Sequence, residues 1–174
     1  MLKILQPDYC FKNVLNISKV WLQTHDFLGI ILDVDNTFVS RDALLPSEIY
    51  MSWLCQLQEA GIKVVLLSNN GGFRAMQINL AVKTQLFTWA GKPWPGAFEK
   101  AETFLNLPVS NILVVGDQIF TDVLGAHLKG LKVGLVNPLP GKDFWATTIM
   151  RHFEKIILRT WKENGKLKLE EESQ

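Results

Sequence analysis

Cysteine is nearly absent from the sequence: Cys10 and Cys55 stand far apart, outside any CxxC or Cys/His pattern. That arrangement argues against a disulfide framework or a zinc site and suits a reducing cytosol. An excess of charge of either sign is missing too. Lysine and arginine number 18 against 17 aspartate and glutamate, a formal net charge of +1, so no global field draws nucleic acid or anionic lipid. Nucleic acid is therefore not expected as a partner. No apolar run approaches the roughly 20 residues of a membrane-spanning helix, so no transmembrane segment is expected. Met1 to Leu5 is soon interrupted by Pro7 and Asp8, too early for a secretory signal. No GxGxxG follows a strand, so Gly71-Gly72 reads as a tight turn rather than a dinucleotide fingerprint. The three histidines, His25, His127 and His152, are scattered.

What is present is an ordinary globular composition, 48% hydrophobic and 20% charged over 174 residues. That length fits one domain with a real core, and no repeat, low-complexity tract or linker divides it. Short apolar runs alternate with amphipathic segments. Leu28–Leu32 ends in Asp33, Lys63–Leu67 in Ser68-Asn69-Asn70, Ile112–Val115 in Gly116-Asp117, and Lys132–Val136 in Asn137-Pro138, with a weaker run near Leu86–Thr88. Runs of this kind suit strands covered on both faces. Helices are expected from Ser47, as cap, to about Ala60, and over Phe73–Val82, Gly96–Asn106 and Ile119–Lys129. The alternation predicts an α/β fold, a three-layer Rossmann-like sandwich around a mostly parallel five-stranded sheet. In such sheets ligands sit beyond the carboxyl ends of the strands, at the topological switch point. Asp33, Asp35, Ser68, Asn69 and Asp117 all fall at those ends.

Each of these groups is weak evidence alone, and each has a chemical reading. Two carboxylates two residues apart at a strand end, Asp33 and Asp35, supply a nucleophile and a proton-handling group. They also attract a hard cation with oxygen ligands, for which magnesium is the natural choice beside phosphate. Ser68 and Asn69, at a strand-to-helix turn, can cradle phosphate oxygens. Lys92, in the stiff Gly91-Lys92-Pro93-Trp94-Pro95 loop, can neutralise both nucleophile and phosphoryl charge. Asp117 adds a third carboxylate across neighbouring strand ends, and Asp122 a fourth within the next helical turns.

Taken together, LDVDNT, LSNN, GKPWPGAF and VVGDQIFTDVLGAHLKG resemble the four motifs of the haloacid dehalogenase superfamily, and within it the subclass IIIA phosphatases related to phosphatidylglycerophosphate phosphatases. The resemblance spans roughly residues 1 to 160. It implies that Asp33 is the nucleophile, Asp35 the general acid/base, Ser68, Asn69 and Lys92 the phosphate-binding groups, and Asp117 with Asp122 the acidic metal motif. It also implies a Mg2+ ion held by Asp33, by that last motif and by the backbone carbonyl of Asp35. The expected activity is hydrolysis of a phosphomonoester through an aspartyl-phosphate, with phosphatidylglycerophosphate as substrate. The alternatives are a soluble phosphatase acting on a nucleotide or sugar phosphate, and a non-catalytic binding protein on the same fold.

Only Phe38–Pro46 separates the first motif from the first long helix, and about ten residues lie between Val82 and Lys92, too few for a cap domain. The site should be open, which suits a macromolecule, a lipid at an interface or a partner that supplies a lid. Substrate-reading residues are expected in Phe38–Pro46 and Asn137–Asp143. A C-terminal amphipathic helix is expected over about 143–163, followed by a frayed tail over 164–174. One of its faces carries Trp145, Ile149, Phe153, Ile156 and Ile157, another Arg151, Lys155, Arg159 and Lys162. Such a helix can lie on an anionic membrane or simply pack on the core. The expected location is cytoplasmic, with peripheral contact at the inner membrane face as the lipid-substrate case.

Overall fold

The computed structural model describes residues 3–141, 154, 156–161, 169 and 170. Strands β1 (Tyr9–Phe11), β2 (Gly29–Asp33), β3 (Lys63–Leu67), β4 (Leu86–Phe87), β5 (Ile112–Gly116) and β6 (Lys132–Val136) form one sheet in the order β1-β6-β5-β2-β3-β4. Every neighbouring pair is parallel. Among the described residues the sheet thus has six strands rather than the expected five. The additional one, β1, is only three residues long and lies between the Pro7-Asp8 and Asn13 turn signals. A run that short carries no periodicity to read, and pairing with β6 defines it.

Helices α1 (Lys19–Thr24), α2 (Glu48–Glu59), α3 (Phe73–Ala81), α4 (Pro95–Leu105) and α5 (Leu124–Lys129) cover the sheet. A π-helical turn, Ile119–Val123, leads into α5. Ser47 occupies the N-cap position of α2, as expected, but its side chain makes no capping hydrogen bond. The two sheet faces bury alternate residues, following the period of a strand. Ile30, Leu32, Val64 and Leu66 pack with Trp21, Leu54 and Ile78 on one side. Ile31, Val65, Val114 and Val133 pack with Phe98, Ala101 and Ala126 on the other. All five residues of β2 are buried, as a central parallel strand requires. This is the three-layer arrangement anticipated from the sequence, and no large cap domain interrupts the described connections.

The chain runs from β2 through β3 to β4 on one side, then crosses back to place β5 on the other flank of β2. The switch point therefore lies between β2 and β5, where Asp33 and Asp117 leave the sheet. Of the expected C-terminal helix, Ile156–Trp161 are described as helical together with Glu154. Glu154 and Trp161 are buried and Ile157 and Leu158 pack partly on the core, while Ile156 is 52% exposed. Trp145, Ile149, Arg151, Phe153, Lys155 and Lys162 lie outside the described residues. No described helix is long and apolar enough to cross a membrane.

Candidate active site

The loop after β2 turns sharply to bring its carboxylates over the sheet end. Asn36 sits at φ 63°, a region asparagine tolerates, and its N–H donates to the Val39 carbonyl at 2.8 Å. Phe38 and Val39, both buried, anchor the turn in the core. Asn36 also ties down the neighbouring loops, accepting from the Arg41 N–H through Oδ1 at 3.0 Å and from the Leu139 N–H through its carbonyl at 2.7 Å. Ser40 Oγ donates to the Pro140 carbonyl at 2.6 Å. The two loops expected to read the substrate, after β2 and after β6, thus meet at the site.

Asp33, 7% exposed, accepts a hydrogen bond at Oδ1 from Lys92 Nζ at 2.6 Å. Its other oxygen, Oδ2, is buried with no hydrogen-bond partner. Lys92 also reaches Asp122 Oδ1 at 2.7 Å, and Asp122 Oδ2 accepts from the Gln118 N–H at 3.1 Å. One carboxylate oxygen from each of Asp33, Asp117 and Asp122 lies within 4.8 Å of the others. Thr37 Oγ1 donates to Asp117 Oδ1 at 3.3 Å. Close approach is made possible by Gly116, where a Cβ would stand 2.3 Å from Asp122 Cγ.

The electrostatics follow from this crowding. Burial raises Asp33 well above the ordinary carboxylate range; Lys92 opposes the shift and the Asp122 and Asp117 carboxylates add to it. Burial works against the Lys92 ammonium, but Asp122 and Asp33 outweigh it and hold Lys92 protonated. Three buried carboxylates against one ammonium, all oxygen donors, with one oxygen lacking any partner, fit a hard divalent cation. Protons and cation would compete for the same oxygens.

Asp35 belongs to a separate group. Its carboxylate is not part of the three-carboxylate cluster and accepts from Ser68 Oγ at 2.8 Å and Asn70 Nδ2 at 2.9 Å through Oδ2. Arg74 Nη1 donates to Oδ1 at 2.5 Å. Burial disfavours the Asp35 anion, yet these hydrogen bonds and the Arg74 and Arg41 guanidinium groups hold its pKa below the usual value. Asn69 faces elsewhere: its side chain accepts from the Lys92 N–H at 2.7 Å and donates to the Lys92 carbonyl at 3.0 Å. Its amide ties down the loop that carries Lys92.

Sequence reasoning missed Arg74 and Glu154, covered Arg41 only as part of the expected substrate-reading loop Phe38–Pro46, and quoted Asn70 within LSNN without giving it a role. Arg74 falls in the first helical turn after β3 and carries no motif of its own. Glu154 accepts the Ile119 N–H at 2.7 Å and the Phe120 N–H at 3.2 Å from a distant part of the chain, so no local pattern could have announced it.

A parallel sheet that delivers a partnerless carboxylate oxygen, a lysine and further carboxylates to its switch point is the arrangement of a haloacid dehalogenase-like hydrolase. The HAD-hydrolase-like family model matches residues 89–138. The chain is 33% identical to the probable phosphatase YqeG of Bacillus subtilis (strain 168), over 97% of this chain and 98% of that protein. It is 24% identical to the chloroplastic phosphatidylglycerophosphate phosphatase 1 of Chlamydomonas reinhardtii, over 91% of this chain and 63% of that protein. An uncharacterized protein from Listeria monocytogenes serotype 4b shares the fold, with a TM-score of 0.51 at 15% identity over 67% of this chain and 84% of that one. The chain belongs to the haloacid dehalogenase superfamily and is a phosphatase.

Proposed function

We propose that the protein is a magnesium-dependent phosphomonoester hydrolase that works through an aspartyl-phosphate on Asp33 and takes phosphatidylglycerophosphate or a closely similar lipid head group. The observation that carries the chemistry is Asp33 itself, fixed at one oxygen by Lys92 with the other buried and unpartnered. The lipid substrate is supported by the likeness to the algal phosphatidylglycerophosphate phosphatase and by a site that, among the described residues, no large cap domain covers.

In this reading the free oxygen of Asp33 attacks phosphorus in line, and the bond from phosphorus to the leaving oxygen breaks. As Ser68 and Asn70 turn from Asp35 to the phosphoryl oxygens, Asp35 loses two of the bonds that hold it ionised, takes the proton of the bound phosphate monoanion and passes it to that oxygen. It then takes a proton from the water that attacks the aspartyl-phosphate, and the bond between phosphorus and Asp33 breaks to release phosphate. Ser68 and Asn70, which bond Asp35 in this structure, are placed to turn their donors to the phosphoryl oxygens. Lys92 offsets charge on both nucleophile and phosphoryl. Asp33, Asp117 and Asp122 would hold the cation through their carboxylates, with Asp35 contributing its backbone carbonyl. When bound, the cation keeps Asp33 ionised and screens the phosphoryl oxygens.

The test is phosphate release from phosphatidylglycerophosphate in mixed micelles with magnesium, comparing wild type with Asp33→Asn. Release by the wild type alone is the expected result. Activity in Asp33→Asn would remove Asp33 as nucleophile. Hydrolysis of an aryl phosphate but not of the lipid would keep the phosphatase and discard its substrate.

A further inference from the structure

Beside Asp35 lies a cavity of about 270 Å³ that is lined by none of the three clustered carboxylates, Asp33, Asp117 and Asp122. Its charged lining is one carboxylate, Asp35, and two guanidinium groups, Arg41 and Arg74, while Ala75, Ile78 and Leu86 give it an apolar wall. Arg41 stands in the loop after β2 and Arg74 in the first turn of α3. Arg74 is rigidly placed: Nε donates to the Ala43 carbonyl at 2.8 Å, Nη2 to the Ser40 carbonyl at 2.9 Å, and Nη1 to Asp35. Those bonds use three of the five N–H donors of a guanidinium, leaving one on each terminal nitrogen for a further acceptor.

We propose that Arg41 and Arg74 form a subsite for a second anion, a phosphodiester carried by the leaving alcohol of the substrate. The inference rests on the role of Asp35 proposed above. The group that protonates the leaving oxygen marks the side on which the leaving alcohol extends, and this cavity opens there. A neutral alcohol would bring nothing for two arginines to bind. A phosphodiester one glycerol unit from the scissile monoester meets both, and its remaining substituent continues toward solvent. Binding energy from this remote anion would orient the scissile bond against Asp33. The phosphodiester could belong to a lipid head group or to a free glycerophosphodiester.

The experiment compares two water-soluble substrates with magnesium, glycerol phosphate and glycerophosphoglycerol phosphate, which share the scissile group and differ in the second anion. The wild type should favour the second by about ten-fold or more in kcat/KM, the value of one guanidinium–phosphate contact. In Arg41→Gln, which retains the backbone N–H bonded to Asn36, that ratio should fall by about ten-fold. A second measurement needs no variant: glycerophosphoglycerol should inhibit the wild type competitively where glycerol does not. Equal kcat/KM for the two substrates, or a ratio unchanged in Arg41→Gln, would overturn the subsite and leave the phosphatase reading standing. Failure to hydrolyse either substrate or an aryl phosphate would overturn both. With the subsite upheld, a further gain on phosphatidylglycerophosphate micelles would identify the lipid as the source of the anion, and no gain the free diester.

Discussion

At Asp33 and Lys92, function and stability pull in opposite directions. Asp33 is buried, carries an oxygen without a partner and faces two further carboxylates, so its charge costs folding free energy whenever no cation is present. Asp33→Asn should therefore gain on the order of 1 kcal/mol of stability in EDTA, while losing turnover. Lys92→Ala should instead destabilise the fold, leaving Asp33 and Asp122 without their shared ammonium at a cost of about 3–5 kcal/mol, with part of that returned by magnesium. Calorimetry of both variants with and without the ion checks the pair; a shift of the same sign in both would refute the balance described. The residues on which this turns were legible in the sequence, because each closes a strand run or sits in a proline-stiffened loop. Asn69 was legible as a position but not as a role, since the direction of an amide depends on where the Lys92 loop passes. Arg41 was legible only as part of the Phe38–Pro46 loop and Arg74 not at all: an arginine near a helix start is most often solvated, and only the fold turns these two toward Asp35.

At the level of elements, the strand that bears the nucleophile is self-sufficient, whereas the turn that bears Asp117 and Asp122 is not. The Ile119–Val123 turn is π-helical, a geometry often found at functional sites. Glu154, 5% exposed, crosses from the C-terminal helix to accept two of its N–H groups, satisfying donors that a helix start leaves open. Glu154→Ala should cost about 1–3 kcal/mol in chemical denaturation and raise the magnesium concentration needed for half-maximal activity. Glu154→Gln, still an acceptor, should recover most of both. An unchanged magnesium requirement in Glu154→Ala would show that the turn holds its carboxylates unaided. Periodicity marked Ile119–Lys129 as one helix, and the structure divides it into the π-helical turn and α5. Gly116 leaves room for the Asp122 side chain of that turn to close on the strand end.

Across the whole molecule the parallel sheet separates two tasks, with chemistry at the carboxyl ends of the strands and chain fastening at their amino ends. Asp8, just ahead of β1, accepts from Lys132 Nζ at 2.6 Å and from the Val133 N–H at 3.0 Å. His127 of α5 joins them, with Nε2 3.0 Å from Asp8 Oδ2 and Nδ1 2.6 Å from the Ile4 carbonyl. Both ring nitrogens face acceptors, so the imidazolium satisfies both and the neutral ring only one. The hydrogen bond to Asp8, against the effect of burial, raises His127 above its ordinary 6.5. Its contribution to stability is thus complete below about pH 6.5 and fades as pH rises through the folded-state value. For Asp8 burial opposes ionisation, but the bonds from His127 and Lys132 prevail and lower its pKa from 3.8 to about 2. That contribution is present above pH 3.8 and fades as pH falls toward about 2. Between those limits, from about pH 4 to 6.5, both are in force. His127→Gln should therefore be least stable relative to wild type in this window, with the gap narrowing toward pH 8. Because the cluster lies at the opposite end of the strands from Asp33, kcat/KM at neutral pH should not change. Denaturation midpoints of the two proteins from pH 4 to 8 decide the matter: a gap that widened with rising pH would mean that His127 is neutral in the fold and fastens the chain through one bond alone.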